Sequence, residues 1–147
     1  MIIAKFFQFF STLFYIGNIG FAPGTITSLL TTLFWIYLIP IDIGMRLIIF
    51  FLCLLVSYIV VEFSLSLFDD EDPQSIVIDE FIGMSIPMIF IVDSLVITCV
   101  AFILFRLLDI LKPSIIYYVQ GYKGTVGILL DDILCGSLTL LIIINYL

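Results

Sequence analysis

Long apolar runs separated by short polar interruptions predict a chain of membrane-length helices and no strand pattern. Residues 2–16 are rich in Phe, with Lys5, Gln8, Ser11 and Thr12 as the polar minority. This run is too short to cross a bilayer comfortably and predicts an interfacial N-terminal helix. Gly17-Asn18-Ile19-Gly20-Phe21-Ala22-Pro23-Gly24-Thr25 reads as a loop by its Gly and Pro content. Residues 26–40 form a first span. Asp42, Gly44 and Arg46 mark a polar turn, and residues 47–68 form a second span with Glu62 late in it. Asp69-Asp70-Glu71-Asp72-Pro73 is a charge run, expected as a solvated loop.

Residues 76–112 admit two readings. One long span would place Asp93 near the bilayer centre, at high cost. A hairpin, with arms at 76–92 and 94–110, puts Asp93-Ser94 at the turn, where Asp93 caps the second helix. Each arm is then about 25 Å long. Pro87 is a potential kink in the first arm. The hairpin also gathers the loop 17–25, the acidic loop, Asp79-Glu80 and Arg106–Lys112 on one side. Lys5, Arg106, Lys112 and Lys123 share that side and Arg46 faces away, so the shared side is expected to be cytoplasmic. Residues 113–123, with three tyrosines beside Lys123, look interfacial, and a last span runs from 125 to 146. The expected architecture is therefore all-α: one domain over 1–147, a polytopic membrane bundle of about five spans plus the interfacial helix.

Composition agrees with this pattern. Hydrophobic residues make up 63% and charged residues 12%, about half the charged share of a soluble domain. A net charge of −7 excludes a nucleic-acid face, which needs concentrated Lys and Arg. Histidine is absent, which removes His-based acid–base chemistry and His metal ligands. Cys53, Cys99 and Cys135 are isolated in apolar contexts and read as packing residues, not as a disulfide or metal set. No signal peptide is expected at the N-terminus.

The candidate chemistry lies in three charged groups. Asp131-Asp132 sits about two turns inside the last span, where two carboxylates are costly unless paired or metal-bound. Asp79-Glu80 opens a helix, either as dipole-stabilising acids or as ligands. Arg106, Asp109 and Lys112 recur every three residues before Pro113, which ends the helix. They are either an interfacial anchor or an anion-binding group. Five carboxylates without His or paired Cys suit Mg²⁺, and the adjacent cations suit a phosphate ester. Gly20, Gly24 and Thr25 offer backbone N–H groups for a phosphate. No Cys stands five residues before an Arg, so a cysteine phosphatase is excluded. Asp70-Glu71-Asp72 lacks the strand context of an aspartate-nucleophile enzyme.

Ala22-Pro23-Gly24-Thr25 with Ser28, Asp79-Glu80-Phe81-Ile82-Gly83, Phe105-Arg106 through Asp109 to Lys112-Pro113, and Gly127 through Asp131-Asp132 to Gly136 together resemble the bacterial phosphatidylglycerophosphatase A family. The chain departs from the family's usual pattern at Thr27, Ile115 and Thr125. The resemblance implies a magnesium-dependent phosphatase of the bacterial inner membrane that converts phosphatidylglycerophosphate to phosphatidylglycerol at the cytoplasmic face. The expected metal ligands are Asp79, Glu80, Asp131 and Asp132. Arg106 and Lys112, with Gly24, Thr25 and Lys123, are expected to bind the phosphate, and Asp109 to orient Arg106 or complete the metal shell. The attacking group is either water or a carboxylate. The competing reading is a small membrane transporter that uses the intramembrane carboxylates as its pathway.

Overall fold

The structure, a computed structural model, describes residues 2–39, 42–65, 75–113, 116, 118–119, 122 and 124–146. Six α-helices run through these residues, with no strand among them: α1 (Ile2–Ser11), α2 (Pro23–Tyr37), α3 (Ile43–Leu65), α4 (Ile78–Ile91), α5 (Leu95–Leu111) and α6 (Thr125–Tyr146). Two of them, α3 and α6, are long and apolar enough to cross a membrane by themselves. The 15-residue α2, 14-residue α4 and 17-residue α5 are shorter. The acidic run 69–72, Pro73, Ile115 and Lys123 lie outside the described residues.

α4 is the central element. It packs most extensively on α6 and also touches α2, α3 and α5. Ile82, Met84 and Met88 are fully buried on it. The α4–α6 approach depends on two glycines. A Cβ on Gly136 would collide with the Gly83 carbonyl oxygen, and one on Gly83 would lie 2.6 Å from the Asp132 carbonyl oxygen. Small residues at such a crossing let two backbones meet without intervening side chains.

The bundle interior contains many hydroxyls, and most are satisfied locally. Ser28, Thr31, Thr32, Ser85 and Thr139 donate to carbonyl oxygens four residues earlier, at 2.6–2.8 Å. Trp35 Nε1 donates to Ser85 Oγ at 2.8 Å, tying α2 to α4. By contrast, α3 exposes Ile48, Phe51, Leu52, Leu55, Ile59 and Phe63. A continuous exposed apolar face on a long helix suits lipid as its solvent.

The 76–112 segment is a helical hairpin turning at Val92–Ser94. The helix cap differs from expectation. Ser94, not Asp93, is the N-cap of α5, with Ser94 Oγ accepting from the Ile97 N–H at 3.5 Å. Asp93 instead pairs with Arg46 of α3 at 3.3 Å, and Arg46 also donates to the Ile89 carbonyl at 3.1 Å. A buried guanidinium needs a counter-charge, and this need outweighs the capping preference. Pro87 lies inside α4 as expected.

The N-terminal helix is shorter than the 2–16 pattern predicts. It ends at Ser11, where Ser11 and Thr12 hydroxyls both donate to the Gln8 carbonyl, at 3.2 and 2.8 Å. Leu13, Phe14 and Tyr15 then adopt left-handed geometry (φ 44°, 60° and 67°) before a 3-10 turn at Ile16–Asn18. The Val77 N–H donates to the Ser11 carbonyl at 3.0 Å, which fastens this turn to the start of α4.

Candidate active site

Four helices deliver polar side chains to one end of the bundle. Asp79 and Glu80 occupy the first turn of α4, where the helix dipole favours acids. Gly83, one turn further on the same face, admits the α6 backbone at Asp132. That contact draws Asp132 to Asp79 and Glu80: the three carboxylates have ligand-capable oxygens within 4.8 Å of one another. α2 adds Gly24 and Ser28. A Cβ on Gly24 would collide with Glu80 Oε1 and lie 3.2 Å from Arg106 Nη1, so Gly24 leaves the gap in which the Glu80 carboxylate and the Arg106 guanidinium meet.

α5 supplies the cations. Arg106 Nη1 pairs with Asp109 Oδ2 at 2.7 Å and donates to Ser28 Oγ at 3.4 Å. Lys112 is the C-cap of α5, with φ at 41°, and its Nζ donates to Asp131 Oδ2 at 2.9 Å. A non-glycine residue in left-handed geometry costs about 1 kcal/mol. Here that geometry accompanies the reach of the ammonium back across to α6. Burial alone would lower the Lys112 pKa, but the hydrogen bond and charge of Asp131, with Asp109 and Asp132 behind it, outweigh burial and hold it above the usual lysine value.

The cluster is electrostatically incomplete. Asp79 Oδ1, Glu80 Oε2, Asp132 Oδ2 and Arg106 Nε are buried without a hydrogen-bond partner. Three converging carboxylates with unsatisfied oxygens cost several kcal/mol unless a cation or protons compensate. All the donors are hard oxygens, so the group fits Mg²⁺. The unpartnered Arg106 Nε is a donor for an anionic oxygen at the same place.

The structure therefore brings together Asp79, Glu80, Arg106, Asp109, Lys112, Asp131, Asp132, Gly24 and Ser28. Asp131 stands apart from the three-carboxylate group: Lys112 holds one of its oxygens, and the other accepts the Asp132 N–H at 3.0 Å. The Thr25 N–H is already donated to the Ala22 carbonyl at 3.0 Å. Gly20 is exposed, with open space around it. Two features escaped the sequence reading. Cys135 lies one turn after Asp132, with Sγ within 4.8 Å of Asp109 and Asp132 oxygens, a placement foreshadowed only by the three-residue spacing from Asp132. Glu62 Oε2 accepts from Thr125 Oγ1 at 2.6 Å, joining the end of α3 to the start of α6.

Comparison with known proteins matches the family model described as phosphatidylglycerophosphatase A over residues 9–146. A Haemophilus influenzae protein named phosphatidylglycerophosphatase A is 33% identical, over 86% of this chain and 80% of the relative. A Bacteroides thetaiotaomicron protein with the provisional name phosphatidylinositol-3-phosphatase is 33% identical, over 86% of this chain and 84% of its own length. No solved structure matches the chain. With the family model covering nearly the whole sequence and a relative of that name matching at this identity, the chain belongs to the phosphatidylglycerophosphatase A family of lipid phosphatases.

Proposed function

We propose that the protein hydrolyses the terminal phosphomonoester of phosphatidylglycerophosphate, giving phosphatidylglycerol and inorganic phosphate, at the cytoplasmic surface of a bacterial inner membrane. The observation that carries this reading is the set of three buried, unpartnered carboxylate oxygens beside an unpartnered arginine nitrogen. Family membership favours this over the transporter reading.

Asp79, Glu80 and Asp132 would hold Mg²⁺, which supplies polarisation of a phosphate oxygen and activation of an attacking group. Arg106 binds the phosphate through Nε and the remainder of its guanidinium, with Asp109 and Ser28 fixing the plane of the fork. Lys112 adds positive charge beside Asp131 and offsets the charge that builds up on the transferring group. Gly24 keeps the approach to Glu80 and Arg106 open. In the net reaction, water gives its oxygen to phosphorus, the P–O bond to the glycerol oxygen breaks, and that oxygen gains a proton.

The membrane placement rests on the two ends of the bundle. The site lies at the start of α4, and the Arg46–Asp93 pair sits about 20 Å away at the other end. With α2, α4 and α5 crossing alongside α3 and α6, the chain has five spans, α1 lies in the interface, and the basic residues favour the site end as cytoplasmic.

The test is phosphate release by purified protein in detergent–lipid micelles, with Mg²⁺ and with chelator. Phosphatidylinositol 3-phosphate serves as a parallel substrate, because one relative carries that name. Chelator-sensitive release from phosphatidylglycerophosphate supports the reading. Release from the inositol lipid alone replaces the substrate, and release from neither overturns the phosphatase assignment.

A further inference from the structure

Two groups of candidate ligands meet at one residue. Asp79, Glu80 and Asp132 form the first; Asp109, Asp132 and Cys135 form the second, again with ligand-capable atoms within 4.8 Å of one another. The shared member, Asp132, is 2% exposed, and its Oδ2 has no hydrogen-bond partner. Cys135 is fully buried, so its thiol is not a surface accident. The two groups differ in chemistry. The first offers only hard oxygens, whereas the second includes a sulfur, which favours a softer ion.

We propose that Asp109, Asp132 and Cys135 form a second divalent-cation position, selective for Zn²⁺ over Mg²⁺, whose occupation shuts the phosphatase off. The proposal rests on the reading of Asp79, Glu80 and Asp132 as the magnesium position. Three protein ligands and one open position make a common zinc arrangement. Ligand atoms in a filled tetrahedral site lie about 3.5 Å apart, so binding would draw the three side chains together from their present spacing of up to 4.8 Å. On binding, Cys135 gives up its thiol proton to solvent and its sulfur donates an electron pair to the metal; no oxidation occurs.

The inhibitory consequence follows from Asp109. Its Oδ2 now pairs with Arg106 Nη1 at 2.7 Å. A metal that recruits Asp109 takes this partner from the guanidinium and adds positive charge where the anionic substrate must bind. It also competes for Asp132. Zinc inhibition is therefore expected to be relieved by excess Mg²⁺ and to depend on the sulfur.

The experiment uses the full chain in detergent, with Cys53 and Cys99 replaced by Ser so that Cys135 is the sole thiol. Co²⁺ serves as the spectroscopic substitute for zinc. A thiolate-to-metal charge-transfer band should appear on Co²⁺ addition, vanish on adding Zn²⁺, and be absent in Cys135→Ser and Cys135→Ala. In parallel, Zn²⁺ should inhibit Mg²⁺-supported phosphate release, and both Cys135 variants should need about tenfold more zinc for the same inhibition. Circular dichroism and gel filtration report whether each variant is folded, and the Ser and Ala forms guard against failure of either one. No band in the folded sole-cysteine protein overturns the proposal, as does unchanged zinc sensitivity in a folded Cys135 variant. A band in a protein that releases no phosphate leaves the second cation position standing and removes the magnesium-phosphatase reading. Phosphate release without a band does the reverse.

Discussion

Arg106 engages Asp109 and Ser28 through one terminal nitrogen and leaves Nε buried without a partner. A lysine at this position cannot reproduce a planar fork. Arg106→Lys should lower kcat by about a hundredfold, with little change in thermal stability, and steady-state phosphate release measures this. Lys112 and Asp131 make a different prediction because they satisfy each other. Their side chains are 28% and 9% exposed. Lys112→Met strands a buried carboxylate and should cost about 1–3 kcal/mol, discounted for the partial exposure of the pair. Adding Asp131→Asn should restore the melting temperature without restoring activity. A double variant as unstable as the single one would show that the stranded Asp131 carboxylate is not the source of the loss. The types of these residues were legible in the sequence. The division of labour between Asp131 and Asp132 was not, because adjacent residues on a helix point about 100° apart and only the neighbouring helices determine what each one meets.

Among the helices, α4 positions the site, and its glycine contacts set the precision. At Gly24, an added methyl group meets the end of the Glu80 side chain, which can swing away. Gly24→Ala should therefore reduce kcat while leaving the melting temperature nearly unchanged. At Gly136, the obstacle is the Gly83 carbonyl, part of a helix backbone that cannot yield locally. Gly136→Val should separate α4 from α6 and cost about 1–3 kcal/mol, together with activity, because Asp132 moves with α6. Thermal unfolding and kinetics on both variants distinguish the two cases. The hairpin of α4 and α5 was one of two readings of residues 76–112, favoured because a lone carboxylate at the centre of a single span is unfavourable and because the hairpin gathers the charged groups on one side. The cap was misassigned because it depended on Arg46, more than forty positions away in the chain.

The proposed placement of the site at one membrane face has a direct test. Asn18 lies in the 3-10 turn near the site end and is exposed, and Leu95 is exposed at the start of α5, at the opposite end. In a chain with Cys53 and Cys99 replaced by Ser, Asn18→Cys and Leu95→Cys should react from opposite sides. A membrane-impermeant maleimide added to spheroplasts should label position 95 and spare position 18. Labelling of both from one side would reject five spans, and labelling of position 18 alone would invert the orientation.

The sequence alone could reveal the all-helical class and single out the charged residues that lie within or beside the apolar runs. It could do so because hydrophobic periodicity and the cost of a charge in an apolar run are local properties. Which carboxylates converge depends instead on how α4 packs against α6. Asp79, Glu80 and Asp132 meet because Gly83 and Gly136 let two backbones touch, while Asp131 turns to Lys112 and Cys135 joins Asp109. Those partnerships depend on helix crossing and rotation, which packing against the other helices fixes and no single stretch of chain encodes.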